Sequence, residues 1–195
     1  SWPQRPRLVI TMGLSGSGKS TVACALAAAL GAIWLRSDVE RKRLHGLHPN
    51  ERPQAGSALY GVDATLRTYA RLGELAEDLL GAGLSVVVDA AFLRRDEREA
   101  MRALAARLEV GFSIVVCTAE PAQLKARILQ RLQAGKDASD ATLEVLALQQ
   151  QVQEPLTPDE QGHAVEVAND GPLEALADPV QRLVAAWSLQ ESSPA

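Results

Sequence analysis

The sequence predicts a three-layer α/β fold, a five-stranded parallel sheet with helices on both faces. Three observations predict it. Five short apolar runs alternate with longer segments of helical periodicity, and parallel strands need such crossovers. The first run ends in a glycine-rich loop that opens an Ala/Leu-rich helix. The chain has 195 residues, which suits one domain. At that length folding removes about 70% of the unfolded surface from water, so a core needs no staples.

Leu8 to Met12 is the first run, a buried strand that stops at Gly13. Gly18 to Leu30 follows as a helix ended by Gly31. Ile33 to Leu35 is a second strand, and Ser37 or Asp38 is placed to cap a helix reaching about Leu44. His45 to Gly61 carries Gly46, Pro49, Pro53 and Gly56 and reads as a loop. Val62 to Leu80 is helical, with Leu66, Tyr69, Leu72, Ala76 and Leu79 expected on its buried side. Leu84 to Asp89 is the clearest strand, with three consecutive valines. Arg94 to Leu108 is a charged amphipathic helix, and Phe112 to Cys117 a fourth strand. Pro121 to Leu132 opens with proline in a first turn. Gly135 to Ser139 breaks the pattern before a helix from Asp140 to Gln153, which Pro155 and Pro158 end. Ala164 to Ala168 is the fifth strand. Leu173 to Leu189 is a final helix interrupted near Pro179, with a fraying tail from Glu191.

Composition narrows the partners. Apolar residues make up 47% and charged residues 23%, and 20 Lys+Arg against 24 Asp+Glu give 20 − 24 = −4. That balance excludes wholesale coating of nucleic acid or anionic membrane but permits a local basic site. Lysine occurs only at Lys19, Lys42, Lys125 and Lys136, so the basic side is mostly arginine, which suits fixed contacts to phosphate or carboxylate. Cys24 and Cys117 cannot build a disulfide scaffold, and both read as core residues of a reducing cytoplasm. No apolar run approaches a membrane span, and Leu8 to Met12 is too short for a signal core.

Gly13-Leu14-Ser15-Gly16-Ser17-Gly18-Lys19-Ser20-Thr21 matches the phosphate-loop pattern G-x-x-x-x-G-K-[ST]. The chemistry needs these residue types. Glycines let backbone N–H groups turn inward as an anion nest, and the helix that follows adds partial positive charge. Gly13, Ser15, Gly16, Ser17, Gly18 and Thr21 are therefore assigned to the nucleotide with Lys19, which reaches the β- and γ-phosphates. Ser20 supplies a hydroxyl to Mg²⁺, a hard cation wanting oxygen. A GTPase would need Asn-Lys-x-Asp after a late strand, and Gly135-Lys136-Asp137 lacks it. A transporter-type ATPase would need a second signature loop, and a hexameric motor a trailing helical domain. A compact kinase remains.

The phosphate loop combines with Ser37 to Lys42 after the second strand, and with Val86 to Ala90 followed by Arg94, Arg95 and Arg98. This combination resembles the small P-loop kinases, among them gluconate kinase, polynucleotide 5′-kinase, chloramphenicol phosphotransferase and zeta-toxin sugar-nucleotide kinases. Leu35 to Lys42, Asp137 to Asp140 and Glu154 to Leu156 are most similar to bacterial ATP-binding kinase-like domains that also occur fused behind aminoglycoside-phosphotransferase-like domains. The resemblance covers nearly the whole chain. It implies one three-layer P-loop domain over 1–195 with a lid at about 121–153, and ATP and Mg²⁺ as cofactors.

Residue roles follow from place and resemblance together. Asp38 lies at the carboxyl end of a parallel strand, where ligands bind. The resemblance makes it the group that orients or accepts the acceptor hydroxyl proton, and a helix N-cap is its other reading. Arg41, one turn on, would meet the acceptor or the transferring phosphate. Asp89 ends the valine strand, where it would hold Mg²⁺ through water or bind the acceptor. Ala90 and Ala91 stand where related kinases carry polar residues. Arg94, Arg95 and Arg98 oppose the dipole of the helix they start, which suggests an anionic partner, with a solvated face as the alternative. We assign Arg94 and Arg98 to the acceptor. Arg127 and Arg131 share a helical face, and the resemblance places them in a lid over the γ-phosphate, Arg127 foremost. Asn169 reads as a turn residue, and by resemblance as a nucleotide contact. His45, His48 and His163 suggest no zinc site, and Trp34, beside the acceptor region, reads as core, with a platform as its other reading.

The expected reaction is Mg·ATP-dependent transfer of the γ-phosphoryl group to a hydroxyl of a small sugar-, nucleoside- or aminoglycoside-like molecule in the cytoplasm. A polynucleotide 5′-hydroxyl kinase is the second reading, disfavoured by the net charge and the scarcity of lysine. An ATPase switch with no acceptor is the third.

Overall fold

The structure is a computed structural model and describes residues 5–51, 58–134 and 142–191. Pro53, Gly56, the breaker Gly135 to Ser139, the Asp137 to Asp140 stretch and the tail beyond Glu191 lie outside the described residues.

The described residues form a five-stranded sheet in the order β2-β3-β1-β4-β5, with every pair parallel. The strands are β1 (Arg7–Met12), β2 (Ile33–Arg36), β3 (Val86–Asp89), β4 (Gly111–Thr118) and β5 (Ala164–Ala168). β1 is central because all six of its residues are buried, as an unbroken apolar run requires when both faces are covered. Its residues alternate between two cores with the strand period of two. Leu8, Ile10 and Met12 join Leu72, Phe92, Met101 and Ile114 under helices α3 (Val62–Gly81) and α4 (Arg95–Arg107). Val9 joins Val22, Leu26, Val180 and Trp187 under α1 (Lys19–Leu30) and α8 (Ala177–Glu191). Four helices complete the described chain: α2 (Ser37–Leu44), α5 (Pro121–Ala134), α6 (Leu143–Val152) and the short α7 (Pro158–Gln161). None of the described helices is long and apolar enough to cross a membrane.

Several local expectations change. α3 buries Ala64, Thr68, Leu72, Ala76 and Leu80, a strict i, i+4 stripe, while Leu66 is 60% exposed. Thr68 tolerates burial because its hydroxyl donates to the Ala64 carbonyl at 2.7 Å. Cys24 is exposed, because α1 turns Val22, Ala23, Leu26 and Ala27 to the sheet. Cys117 is buried, and burial pushes its thiol up to about 12. α2 starts at Ser37 with Arg36 in the capping position, so neither Ser37 nor Asp38 caps it. Pro158 opens α7 instead of closing a helix, where Thr157 and Glu160 exchange hydrogen bonds across the first turn. The break near Pro179 falls earlier, between a 3-10 turn (Leu173–Leu176) and α8, and Pro179 sits in the first turn of α8 where no N–H is needed.

Candidate active site

The loop between β1 and α1 opens at the carboxyl edge of the sheet, beside the ends of β2 and β3. Gly16 and Gly18 both adopt φ of +85°, which a side chain would strain. They also leave room for neighbours. A Cβ on Gly16 would stand 2.7 Å from the Leu124 carbonyl of α5, and one on Gly18 would overlap the Asn169 amide. The Ser17 hydroxyl is buried with no partner among the described residues, an orphan donor inside an anion nest.

Lys19 folds back so that Nζ donates to the Leu14 carbonyl at 2.8 Å. Burial lowers its pKa, against the pull of the Asp89 carboxylate. Asp89 is itself only 5% exposed. Burial raises its pKa, opposed by a hydrogen bond from the Ser20 hydroxyl, by Lys19, and by Trp34, whose indole N–H donates to Oδ2 at 3.2 Å. Trp34 therefore aims a carboxylate as well as packing against the core. The segment after Asp89 is pinned too. Thr11 Oγ1 donates to the Ala90 carbonyl at 2.8 Å, and the Phe92 N–H, at a φ of +44°, donates to the Tyr69 hydroxyl at 3.1 Å.

Ser20 and Asp89 present two hard oxygens, hydrogen-bonded to each other, next to the nest. That donor set fits Mg²⁺, which takes one or two protein oxygens and completes its shell with phosphate and water. A raised folded pKa means the buried Asp89 charge costs stability once pH rises through that pKa. Asp89→Asn should therefore melt above the wild type at pH 7, and the gap should close as pH falls into the carboxylate range. Were Ser20 and Asp89 to hold Mg²⁺, the same variant would also bind that ion more weakly, read by calorimetry with Mg²⁺ as the titrant.

Asp38 faces the loop from the first turn of α2. Its Oδ2 accepts from Arg36 Nη2 at 2.9 Å, and Oδ1 accepts from the Val39 N–H at 2.9 Å. Arg41 lies one turn on. Its Nη1 donates to the Leu59 carbonyl and to Thr65 Oγ1, both at 3.1 Å, and its guanidinium lies over Tyr60, 5.3 Å from the ring centre. Burial lowers its pKa. Lys19, Ser20, Asp38, Arg41, Asp89 and Arg131 all line one cavity together with Ser15, Gly16 and Gly18. Thr21 and Gly13 do not line it.

The two arginines of α5 that share a face separate. Arg131 reaches the cavity, close enough to Lys19 to lower its pKa. Arg127, a turn earlier, ties the loop to the end of β5. Its Nη1 donates to the Gly16 carbonyl at 3.2 Å, and its Nη2 to the Asn169 and Gly171 carbonyls at 2.8 and 3.1 Å. Asn169 is 2% exposed and its Nδ2 donates to the Ser17 carbonyl at 3.1 Å, so its side chain braces the loop. A second groove runs along Gln123, Arg127 and Gln130 of α5 and Asp170 to Pro172.

The expectation for Arg94 and Arg98 is corrected. Arg98 is fully buried, and its guanidinium meets Glu160 Oε1 at 2.7 Å and Oε2 at 3.2 Å plus the carbonyls of Phe92, Leu93, Glu154 and Pro155. Its donors are spent on the fold. Arg94 is exposed and pairs with Asp96 at 3.1 Å. Neither lines the cavity. Gln149 and Tyr69 do line it; the helical periodicity marked Tyr69 only as a packing residue, and no local pattern marked Gln149.

Over residues 8–156 the sequence matches the family model described as "AAA domain". An uncharacterized protein of Mycobacterium tuberculosis is 34% identical over 143 residues, which are 72% of this chain and 28% of that protein. The chain thus spans little more than a quarter of the length of that relative. An adenylyl-sulfate kinase of Shewanella halifaxensis is 43% identical over 106 residues, 52% of this chain and 47% of that one. The solved APS kinase of M. tuberculosis in complex with AMPPNP and APS superposes with a TM-score of 0.67 at 25% identity, covering 94% of this chain and 99% of that one. The chain belongs to this AAA domain family, within the small P-loop kinase superfamily.

Proposed function

We propose that the chain transfers the γ-phosphoryl group of Mg·ATP to a hydroxyl of a small molecule. One observation carries this reading. Phosphate-holding groups (the loop, Lys19, Ser20, Asp89) and a candidate proton acceptor, Asp38, face each other across one cavity. Phosphoryl transfer asks a protein mainly for positioning and charge neutralisation, and this cavity offers both. The loop amides and Lys19 take the phosphate charge. Ser20 and Asp89 would hold Mg²⁺, which when bound neutralises charge on the transferring group. Asp38 orients the acceptor hydroxyl and takes its proton, with Arg36 fixing the carboxylate. Arg41, braced on Leu59 and Thr65 through one nitrogen, turns the rest of its fork to the acceptor. Arg131 covers the phosphates from α5, acting as a lid residue. The groove beside Arg127 and Gly171 takes the nucleotide base.

Two of the similar proteins support the reading. One is an adenylyl-sulfate kinase, and the other was solved holding an ATP analogue with APS. The cavity wall carries Lys19, Arg41 and Arg131 beside Asp38 and Asp89, and Arg41 on the acceptor side suits a neutral or anionic sugar- or nucleoside-like acceptor better than a polycationic aminoglycoside. The test is γ-labelled ATP with Mg²⁺ and a panel of sugars, sugar acids, nucleosides, aminoglycosides and a 5′-hydroxyl oligonucleotide. Label on a sugar or nucleoside is the expected result. Label on the oligonucleotide, with a steep loss of affinity in salt, would install the polynucleotide reading. Release of free phosphate alone, with or without any acceptor, would leave only an ATPase.

A further inference from the structure

Among the described residues, three side chains from outside the phosphate loop bond to its backbone, and they do opposite things. Arg127 and Asn169 donate to loop carbonyls, at Gly16 and Ser17, groups that a phosphate does not need. Gln149, on α6, instead takes a donor. Its Oε1 accepts from the Ser15 N–H at 2.8 Å. The amide orientation is forced, because a backbone N–H must meet an acceptor. Ser15 and Gln149 line the same cavity as Lys19, Asp38 and Arg131, so this donor lies where the phosphates and acceptor would meet. Lys19 is likewise turned onto the Leu14 carbonyl. Two of the groups that would grip a phosphate are thus satisfied from within the chain.

The attachment of α6 makes this contact consequential. Leu146 is its one buried residue, packed in a small cluster with Leu124, Ile128 and Leu14, while Leu143, Leu148 and Val152 of α6 are exposed. A helix held by so little apolar surface belongs to the easily opened part of a fold. One hydrogen bond is then a large share of what docks it.

Resting on the nucleotide reading above, we propose that Gln149 is a resident stand-in for a phosphate oxygen. Its carboxamide latches α6 to the loop and leaves when a nucleotide phosphate takes the Ser15 N–H. A phosphate oxygen, being charged, is the stronger acceptor, so the exchange runs toward the nucleotide. The latch bond is nonetheless lost in that exchange, so the latch weakens nucleotide binding. It also reports to α6 that the loop is filled.

The test titrates ATP, without acceptor, into wild type, Gln149→Ala, Gln149→Glu and Lys19→Ala, and follows amide hydrogen exchange of α6. Gln149→Ala should bind ATP about five-fold more tightly, the effect of one net hydrogen bond. Gln149→Glu should bind more weakly than wild type, because a charged oxygen holds the same N–H and repels phosphate. ATP should speed α6 exchange in wild type, and in Gln149→Ala that exchange should already be fast without ATP. Alanine favours a helix, so Gln149→Ala should keep its fold, with an unchanged far-ultraviolet spectrum as the check. Unchanged or weaker ATP binding by Gln149→Ala overturns the latch, and weaker binding would make Gln149 a direct phosphate contact. If wild type binds no more ATP than Lys19→Ala and Gln149→Ala does no better, the nucleotide reading falls and the latch with it. Failure of the latch alone leaves the difference between wild type and Lys19→Ala intact.

Discussion

Asp38→Asn should lower phosphoryl transfer by about 10²–10⁴-fold, the range of a lost general base, while ATP affinity and melting temperature stay near wild type. The substitution keeps the shape of the side chain. Its remaining oxygen still accepts one of the two bonds that Asp38 makes, from Arg36 Nη2 or from the Val39 N–H. The Asp38–Arg36 pair is about a quarter exposed, and such pairs contribute about 1 kcal/mol or less, so little stability is at stake. What disappears is the negative oxygen facing the cavity. Steady-state rates, calorimetric ATP affinity and a thermal melt on the same preparation check the three parts. A variant that still transfers at the wild-type rate would reduce Asp38 to a partner for Arg36.

Arg98→Leu should destabilise the fold by about 3–5 kcal/mol, because it leaves a buried carboxylate without its counter-charge. The side chains of Arg98 and Glu160 are 0% and 4% exposed. Arg98 also satisfies four backbone carbonyls, so α4 is stitched to the segment that leads into β5. For a chain of this size the loss corresponds to a melting shift of about 6–20 °C. Arg98→Leu combined with Glu160→Leu should recover much of it, since an apolar pair carries no unpaired charge. Burial alone would raise the Glu160 pKa, but Arg98 and the Thr157 contacts hold it below the ordinary value. A depressed folded pKa gives stability that is present above the unfolded value, about 4.3, and is lost as pH falls through the folded one. The difference between wild type and Arg98→Leu should therefore shrink in acid. An Arg98→Leu protein that melts like wild type but loses transfer would restore Arg98 to the acceptor site.

The sheet and the centre of the site were legible in the sequence because local patterns carry them. β1, the glycine loop and α1 are consecutive, and Asp38 and Asp89 each stand just past an apolar strand in a parallel α/β chain. Arg98 was misread because charge at a helix start says nothing of residues 154–160 folding back over it, 62 positions away at Glu160. Gln149 is 134 positions from Ser15 and resembles any glutamine on a solvated helix. Arg127 and Arg131 share a face, but the four-residue step between them rises about 6 Å, enough to put one at the loop's brace and the other at the cavity. Cys24 failed for another reason: in an Ala-rich helix every face is mildly apolar, so the pattern does not say which side meets the sheet. In α3 leucines occur off the buried stripe as well as on it, and Leu66 was drawn inward by the same ambiguity.

The central claim is that this cavity moves a phosphoryl group from ATP to a small hydroxyl compound. The most direct measurement incubates γ-labelled ATP and Mg²⁺ with a fractionated bacterial extract, comparing wild type with Asp38→Asn. Label entering the small-metabolite fraction with wild type and vanishing with the variant is the predicted result. Label released only as free phosphate, equally by both proteins, would contradict it.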